Sequence, residues 1–188
     1  MTSQKQRAKI RIEELVEYLI KKIRENLSAQ GHNLTGRLSR SLEGKESESG
    51  DAWAFSIFWE AYGTVIEQGL NRSRVPYSPG SGAKHSKFIE GLIKYVKLRG
   101  LRPRKGQTVK GIAFAIAASG KKVGFPLPGS RRFSSTGRRT GAISEVLDNE
   151  KRAILLGITE AAAIHIEDYL SGILEEVADS RIIEIVDF

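Results

Sequence analysis

The chain has 188 residues, 40% of them hydrophobic and 28% charged, with no cysteine and a formal net charge of +8. That is enough apolar material for a core and too much for a disordered polyelectrolyte, and the length suits one domain with elaborations. The lack of thiols excludes disulfides, thiolate metal sites and cysteine catalysis, and no apolar run approaches the ~18–20 residues of a membrane span.

The first strongly patterned segment, residues 3–30, is amphipathic. Ile12, Leu15, Val16, Leu19, Ile20, Ile23 and Leu27 recur at spacings of three and four, which predicts a long helix with Gly31 as its stop. Its opening residues, Met1–Arg7, carry no signal-peptide core, so the expectation is a protein made in a reducing cytosol. Residues 38–48 are weakly patterned and suit an edge strand. Residues 52–59 form the clearest strand, with Trp53, Phe55, Ile57 and Trp59 alternating with Ala54, Ser56 and Phe58. A hairpin through Ser49-Gly50-Asp51 follows, its aromatic face expected against Leu15, Leu19 and Ile23 or against the last helix.

Beyond a turn-rich stretch from Asn71 to Gly82, Phe88, Leu92, Tyr95 and Val96 mark a helix from Ser86 to Leu98, closed by Gly100. Thr108 is placed to cap a second helix, residues 109–118. Residues 119–141, rich in Gly, Ser, Thr and Arg, read as a long basic loop with few apolar anchors, an expectation of mobility in the free protein. From about Asn149 to Ala178 helical periodicity returns, and Ile182, Ile183, Ile185 and Val186 make a β-prone close. The expected class is α+β: a mainly antiparallel β-sheet packed with long N- and C-terminal helices around a basic helical and loop middle segment, as one domain over residues 1–188.

The charge lies in blocks. Residues 1–70 carry 10 Lys and Arg against 10 Asp and Glu, residues 71–140 carry 17 against Glu90 alone, and residues 141–188 carry 3 against 11. Two readings fit: the basic block meets an external polyanion, or it pairs with the acidic end of its own or a neighbouring chain.

Chemical signatures are few. Gly31 to Leu38 has the glycine spacing of a phosphate loop without its Lys and Ser/Thr, and His32, His85 and His165 show no ligand spacing. His165 falls on the apolar stripe of the last helix, as a core histidine would. Glu167-Asp168 and Glu175-Glu176 read as a solvated face. No catalytic residue, cofactor or metal is expected, and the chain reads as no enzyme. The many basic residues suffice for non-specific phosphate contacts, but no nucleic-acid-binding module emerges.

Two short segments stand in a familiar order. Thr35-Gly36-Arg37-Leu38-Ser39-Arg40-Ser41-Leu42 resembles the "TG-x-L-x-x-S" segment after the first helix of head–tail joining proteins of tailed bacteriophages, the tail-completion or neck proteins. Tyr62-Gly63-Thr64-Val65-Ile66-Glu67-Gln68-Gly69 resembles that family's "Y-x-x-x-x-E-x-G" segment, with Gln68 where an aromatic residue is common. The motif residues are Thr35, Gly36, Leu38, Ser41, Tyr62, Glu67 and Gly69.

The resemblance implies a virion protein of the neck, made in the host cytoplasm. It would form a homo-oligomeric ring between the portal or head connector and the tail or tail tube, around a channel carrying genomic DNA, with no membrane involved. In that setting Phe125 and Phe133 are expected to anchor the 119–141 loop on an adjacent subunit, with Arg131, Arg132, Arg138 and Arg139 meeting carboxylates or DNA. Glu67, just ahead of the basic block, would meet an arginine of a loop or neighbour, or water. The competing reading is a basic protein that binds nucleic acid non-specifically.

Overall fold

The computed structural model describes residues 4–49, 52–80 and 86–186. Helices dominate it. In chain order they are α1 (Gln4–Ala29), α2 (Arg37–Ser41), α3 (Gly63–Gln68), α4 (Lys87–Leu98), α5 (Val109–Val123), α6 (Ser144–Asn149) and α7 (Lys151–Val186). Two strands, β1 (Glu43–Ser49) and β2 (Ala52–Phe58), pair antiparallel with Glu43 opposite Phe58 and Ser49 opposite Ala52. The mixed α+β class is correct, but among the described residues the sheet is this two-stranded ribbon. The turn residues Gly50 and Asp51 lie outside the described residues, as does the side chain of Trp53.

The chain divides into two compact units, one of residues 1–22, 43–58 and 145–188, the other of residues 23–42 and 59–144. Charge divides with them. The first unit carries 10 Lys and Arg against 18 Asp and Glu, the second 20 against 4.

In the first unit, α1 lies against β1 at Gly44, where a Cβ would stand 2.6 Å from Val16 Cγ1, so the strand approaches the helix only because that position has no side chain. Ile57 and Phe55, opposite Gly44 and Glu46 in the register, share this face and are half-buried. The start of α7 packs on α1 through Gly157 and Leu15, and Arg11 Nε donates to Glu160 Oε2 at 2.6 Å. Tyr18 donates its hydroxyl to Glu150 at 2.8 Å. Ala161 is the last buried residue among those described in α7; from His165 to Glu176 every described side chain is exposed. His165 is therefore not a core histidine. The β-prone tail is corrected too, because α7 continues through Ile182, Ile183, Ile185 and Val186. Extending a formed helix adds one hydrogen bond per residue without a new nucleus, whereas a lone strand needs a partner edge.

In the second unit, α1 ends where Gly31 adopts φ +72°, with Gly31 N–H donating to Ser28 O and His32 N–H to Leu27 O, both at 2.8 Å. This paired closure needs a left-handed residue that glycine supplies without strain. Gly36 then opens α2, so residues 37–41 are helical and the expected strand begins only at Glu43. α4 closes at Gly100 as expected, and Thr108 caps α5 by accepting from Gly111 N–H at 3.0 Å. The core of this unit gathers Ile23, Leu27, Val75, Ile89, Val96 and Ala113, all buried.

The 119–141 segment is not a free loop. α5 takes its first residues, and Leu70 and Phe125 exchange backbone hydrogen bonds at 2.7 and 2.8 Å. A 3-10 turn spans Pro128–Phe133, and Ser135 then donates its N–H and hydroxyl to Ala29 O at 2.8 and 3.0 Å. Apolar anchors alone would not order this stretch. The unpaired carbonyls at the end of α1 supply acceptors that do.

Candidate functional site

The two motif segments meet in one knot of the second unit. Leu38, Leu42, Trp59, Gly63, Ile66, Glu67, Ala142 and Ile143 line a common apolar crevice with Leu27. A Cβ on Gly63 would stand 2.1 Å from Trp59 Cδ1 and 3.1 Å from Leu38 Cδ1. Ser41 ties the segments by donating its hydroxyl to Leu38 O at 2.9 Å and accepting Glu60 N–H at 3.1 Å. Arg37 Nε donates to Glu60 Oε1 at 2.5 Å, and the pairing raises the guanidinium pKa. Thr35 offers its carbonyl to Arg40 at 3.1 Å. Tyr62 precedes the first residue of α3, its ring partly exposed, and its phenol pKa is raised by burial and then by Glu60.

Glu67 meets no arginine. Its Oε2 accepts Ile143 N–H at 2.8 Å, and its Oε1 accepts Ser144 N–H at 3.0 Å and the Ser144 hydroxyl at 2.5 Å. Gly69 has φ +78°, and a Cβ there would stand 2.7 Å from Phe125 O, which explains the glycine beside the Leu70–Phe125 pairing. The motif residues therefore position backbone and present no reactive array. Trp59 and Gly63 belong to the knot although neither is an expected motif residue; a glycine directly after Tyr62, and an aromatic directly after β2, are the available signals.

Beside the knot lies a cavity of about 760 Å³. Its walls are Val65 and Ile66 of α3, Leu92 and Tyr95 of α4, Ile112 and Ile116 of α5, and Phe125 to Ser130 and Phe133 with His32 and Arg139. The charged side chains on its lining are Lys122, Arg132 and Arg139, and no carboxylate is among the lining residues. The apolar stripes of α4 and α5 announced these walls; that they face a hollow was not readable from spacing.

The rim is built on the end of α1. Arg139, 9% exposed, donates Nη1 to Gln30 O at 2.6 Å, and Gln30 Nε2 donates to Thr140 O at 3.3 Å. Arg99 Nη2 donates to Gly31 O, and its guanidinium lies 4.5 Å from the Phe133 ring centroid. Two cations thus sit at the carbonyl end of a helix, where its dipole favours them. Burial lowers the pKa of Arg139, Arg99 adds to this, and Tyr95 opposes it. His32 meets Arg139 O through Nε2 at 3.1 Å, and burial, then the Arg139 charge, lowers its pKa to about 4. It is neutral at pH 7.

Of the expected loop anchors, Phe125 packs its ring over Gly120 and edge-on to Phe88 at 6.2 Å, and Phe133 lies under Arg99 and Arg132. Both are used within their own unit, as is Arg139. Arg131, Arg132 and Arg138 are exposed. Among the described residues no three His, Asp or Glu gather as metal ligands would, and no helix is long and apolar enough to cross a membrane. His85 lies outside the described residues. No family model, curated protein or solved structure matches the chain.

Proposed function

We propose that the chain is a structural protein of a tailed-bacteriophage neck, assembling into a homo-oligomeric ring that joins the portal or head connector to the tail around the DNA channel. The observation that carries this reading is the convergence of the two family-like segments. Residues 35–42 and 62–69, separate in sequence, meet in one crevice through Leu38, Gly63 and Glu67, which supports reading them together as one framework. The chemistry of the knot is positional, as a scaffold requires, and the division of charge between the two units suits head-to-tail association, which closes into rings when the rotation permits.

Negative-stain images of concentrated protein, and of virion necks labelled for this chain, test the proposal. Rings with a central channel are expected. Symmetric dimers under every condition together with no signal in virions would overturn it. The second reading, a non-specific nucleic-acid binder acting alone, draws on the net +16 of the second unit. Gel shifts on the monomer decide between them. A dedicated binder holds duplex with a steep salt slope, and a neck protein binds weakly until assembled.

A further inference from the structure

We infer that α7 of one copy docks its exposed apolar stripe in the basic-lined cavity of the next, and that this contact joins neighbouring subunits. The inference rests on the ring-forming reading above and names the surfaces that would close it.

The first observation is an exposed apolar stripe on α7 beyond Ala161. Ile166, Tyr169, Leu170 and Leu174 are 56, 69, 53 and 68% exposed, and Ile173 completes the stripe. Ile166, Tyr169, Leu170 and Ile173 stand at i, i+3, i+4 and i+7, the spacing by which a helix lays anchors into a groove. So long an apolar run left in water is the mark of an interaction surface. Between Ala153 and Glu176 the chain has five acids and no Lys or Arg, so the stretch of α7 that carries the stripe is acidic.

The second observation is independent and lies in the other unit. The cavity of about 760 Å³ has apolar walls and three cations on its lining, with no carboxylate to balance them. Arg139 is buried there with no hydrogen-bond partner for its Nε. The two surfaces match in both respects, apolar stripe to apolar wall and carboxylate to guanidinium or ammonium. The stripe from Ile166 to Leu174 covers about 12 Å of helix, two turns, which suits a concave site of this size. A contact between different surfaces of identical chains is heterologous and propagates from copy to copy, as a ring needs.

The native chain has no cysteine, so single thiols can be placed at will. Leu170→Cys and Ser119→Cys lie at exposed positions, the second on the cavity lining. One variant is tagged, the two are mixed at assembling concentration, and a short bismaleimide is added. The expected result is a tagged–untagged pair at twice 20.8 kDa, with much less product from either variant alone. The double variant should give a ladder of linked copies.

Three results would overturn the inference: no mixed product, Leu170→Cys linking mainly to itself, or the double variant closing within one chain without a ladder. Charge gives a second readout. Glu167 and Glu176 flank the stripe on either side of the helix, so Glu167→Lys with Glu176→Lys should raise the concentration for half-assembly about tenfold, as loss of complementary charge does, and Lys122→Glu with Arg132→Glu should restore it. All four positions are exposed, so folding is not at issue. Failure to restore assembly, or native mass spectra showing a small amphiphilic anion held in the cavity instead, would also overturn it. Rings seen without the cross-link would sink this contact and leave the ring reading standing; absence of any oligomer, in solution or in virions, would sink the ring reading itself.

Discussion

Glu67 holds Ser144 by two hydrogen bonds to one carboxylate oxygen, from the N–H at 3.0 Å and the hydroxyl at 2.5 Å, while its other oxygen takes Ile143 N–H at 2.8 Å. The side chain of one helix thereby satisfies donors at the start of another, a task usually left to a local capping residue. The Glu67 carbonyl accepts Gly141 N–H at 2.9 Å as well, so residues 141–144 are fixed by this one position.

Glu67→Ala should therefore cost about 2–3 kcal/mol, the range for hydrogen bonds to a charged group whose donors are left unmet. Glu67→Gln keeps one acceptor and should cost less. Urea unfolding of the two variants checks the order; equal, near-zero losses would return Glu67 to the status of a solvated acid.

Glycine substitutions provide a paired test of the knot. Gly63 sits in α3, where alanine is intrinsically the better helix former, yet its Cβ would press into the Trp59 ring. Overpacking should win, and Gly63→Ala should destabilise by ~1–3 kcal/mol. Gly91, in the middle of α4, has nothing within 4 Å of the corresponding position. Gly91→Ala should stabilise by about 0.5–1 kcal/mol through helix propensity. Thermal melts of both variants should move in opposite directions.

Periodicity and glycine stops were enough to place α1, β2, α4, α5 and most of α7, because each depends on local pattern. What failed depends on the rest of the molecule. The alternation that put Trp59 on the same face as Phe55 and Ile57 stops at Phe58, and Trp59 belongs to the other unit. Residues 119–141 looked too poor in apolar side chains to order, but their ordering comes from hydrogen bonds to Ala29 and Gln30 carbonyls, which no composition count includes. Residues 35–42 and 62–69 could be picked out only as short strings. Their meeting in one crevice, and the cavity beside it, are products of tertiary packing.

His32 predicts a pH dependence. Its folded pKa of about 4 lies below the ordinary value of 6.5, so in that interval the unfolded chain binds the proton and the folded one does not. The neutral ring's contribution is full above pH 6.5 and is lost as pH falls toward 4. Between pH 6.5 and 5, before most carboxylates titrate, the loss should be on the order of 2 kcal/mol, less whatever solvent screening of a half-buried ring removes. His32→Gln retains a donor for Arg139 O and should flatten the stability profile over this window. A variant that follows the native curve would show that another group titrates.

Phe125 separates a structural segment from a free one. Its ring fills the space a Cβ would take on Gly120, meets Phe88 edge-on, and its backbone pairs with Leu70. Phe125→Ala should cost about 2–4 kcal/mol, below aromatic truncation in a full core because the ring is half-buried. Phe133, half-buried under Arg99 and Arg132, should cost less on truncation, about 1–2 kcal/mol, since cation–π contacts near the surface are weaker than buried packing. Deleting residues 120–140 would strip Ala29 and Gln30 of their carbonyl partners and remove the Phe125 packing at once. The expected product lacks a cooperative unfolding transition for residues 23–144, whereas a mobile loop would leave that transition intact. In a Trp53→Phe background, denaturant curves followed by tryptophan fluorescence report on it through Trp59, and an unchanged midpoint in the deletion would overturn the reading of this segment as part of the fold.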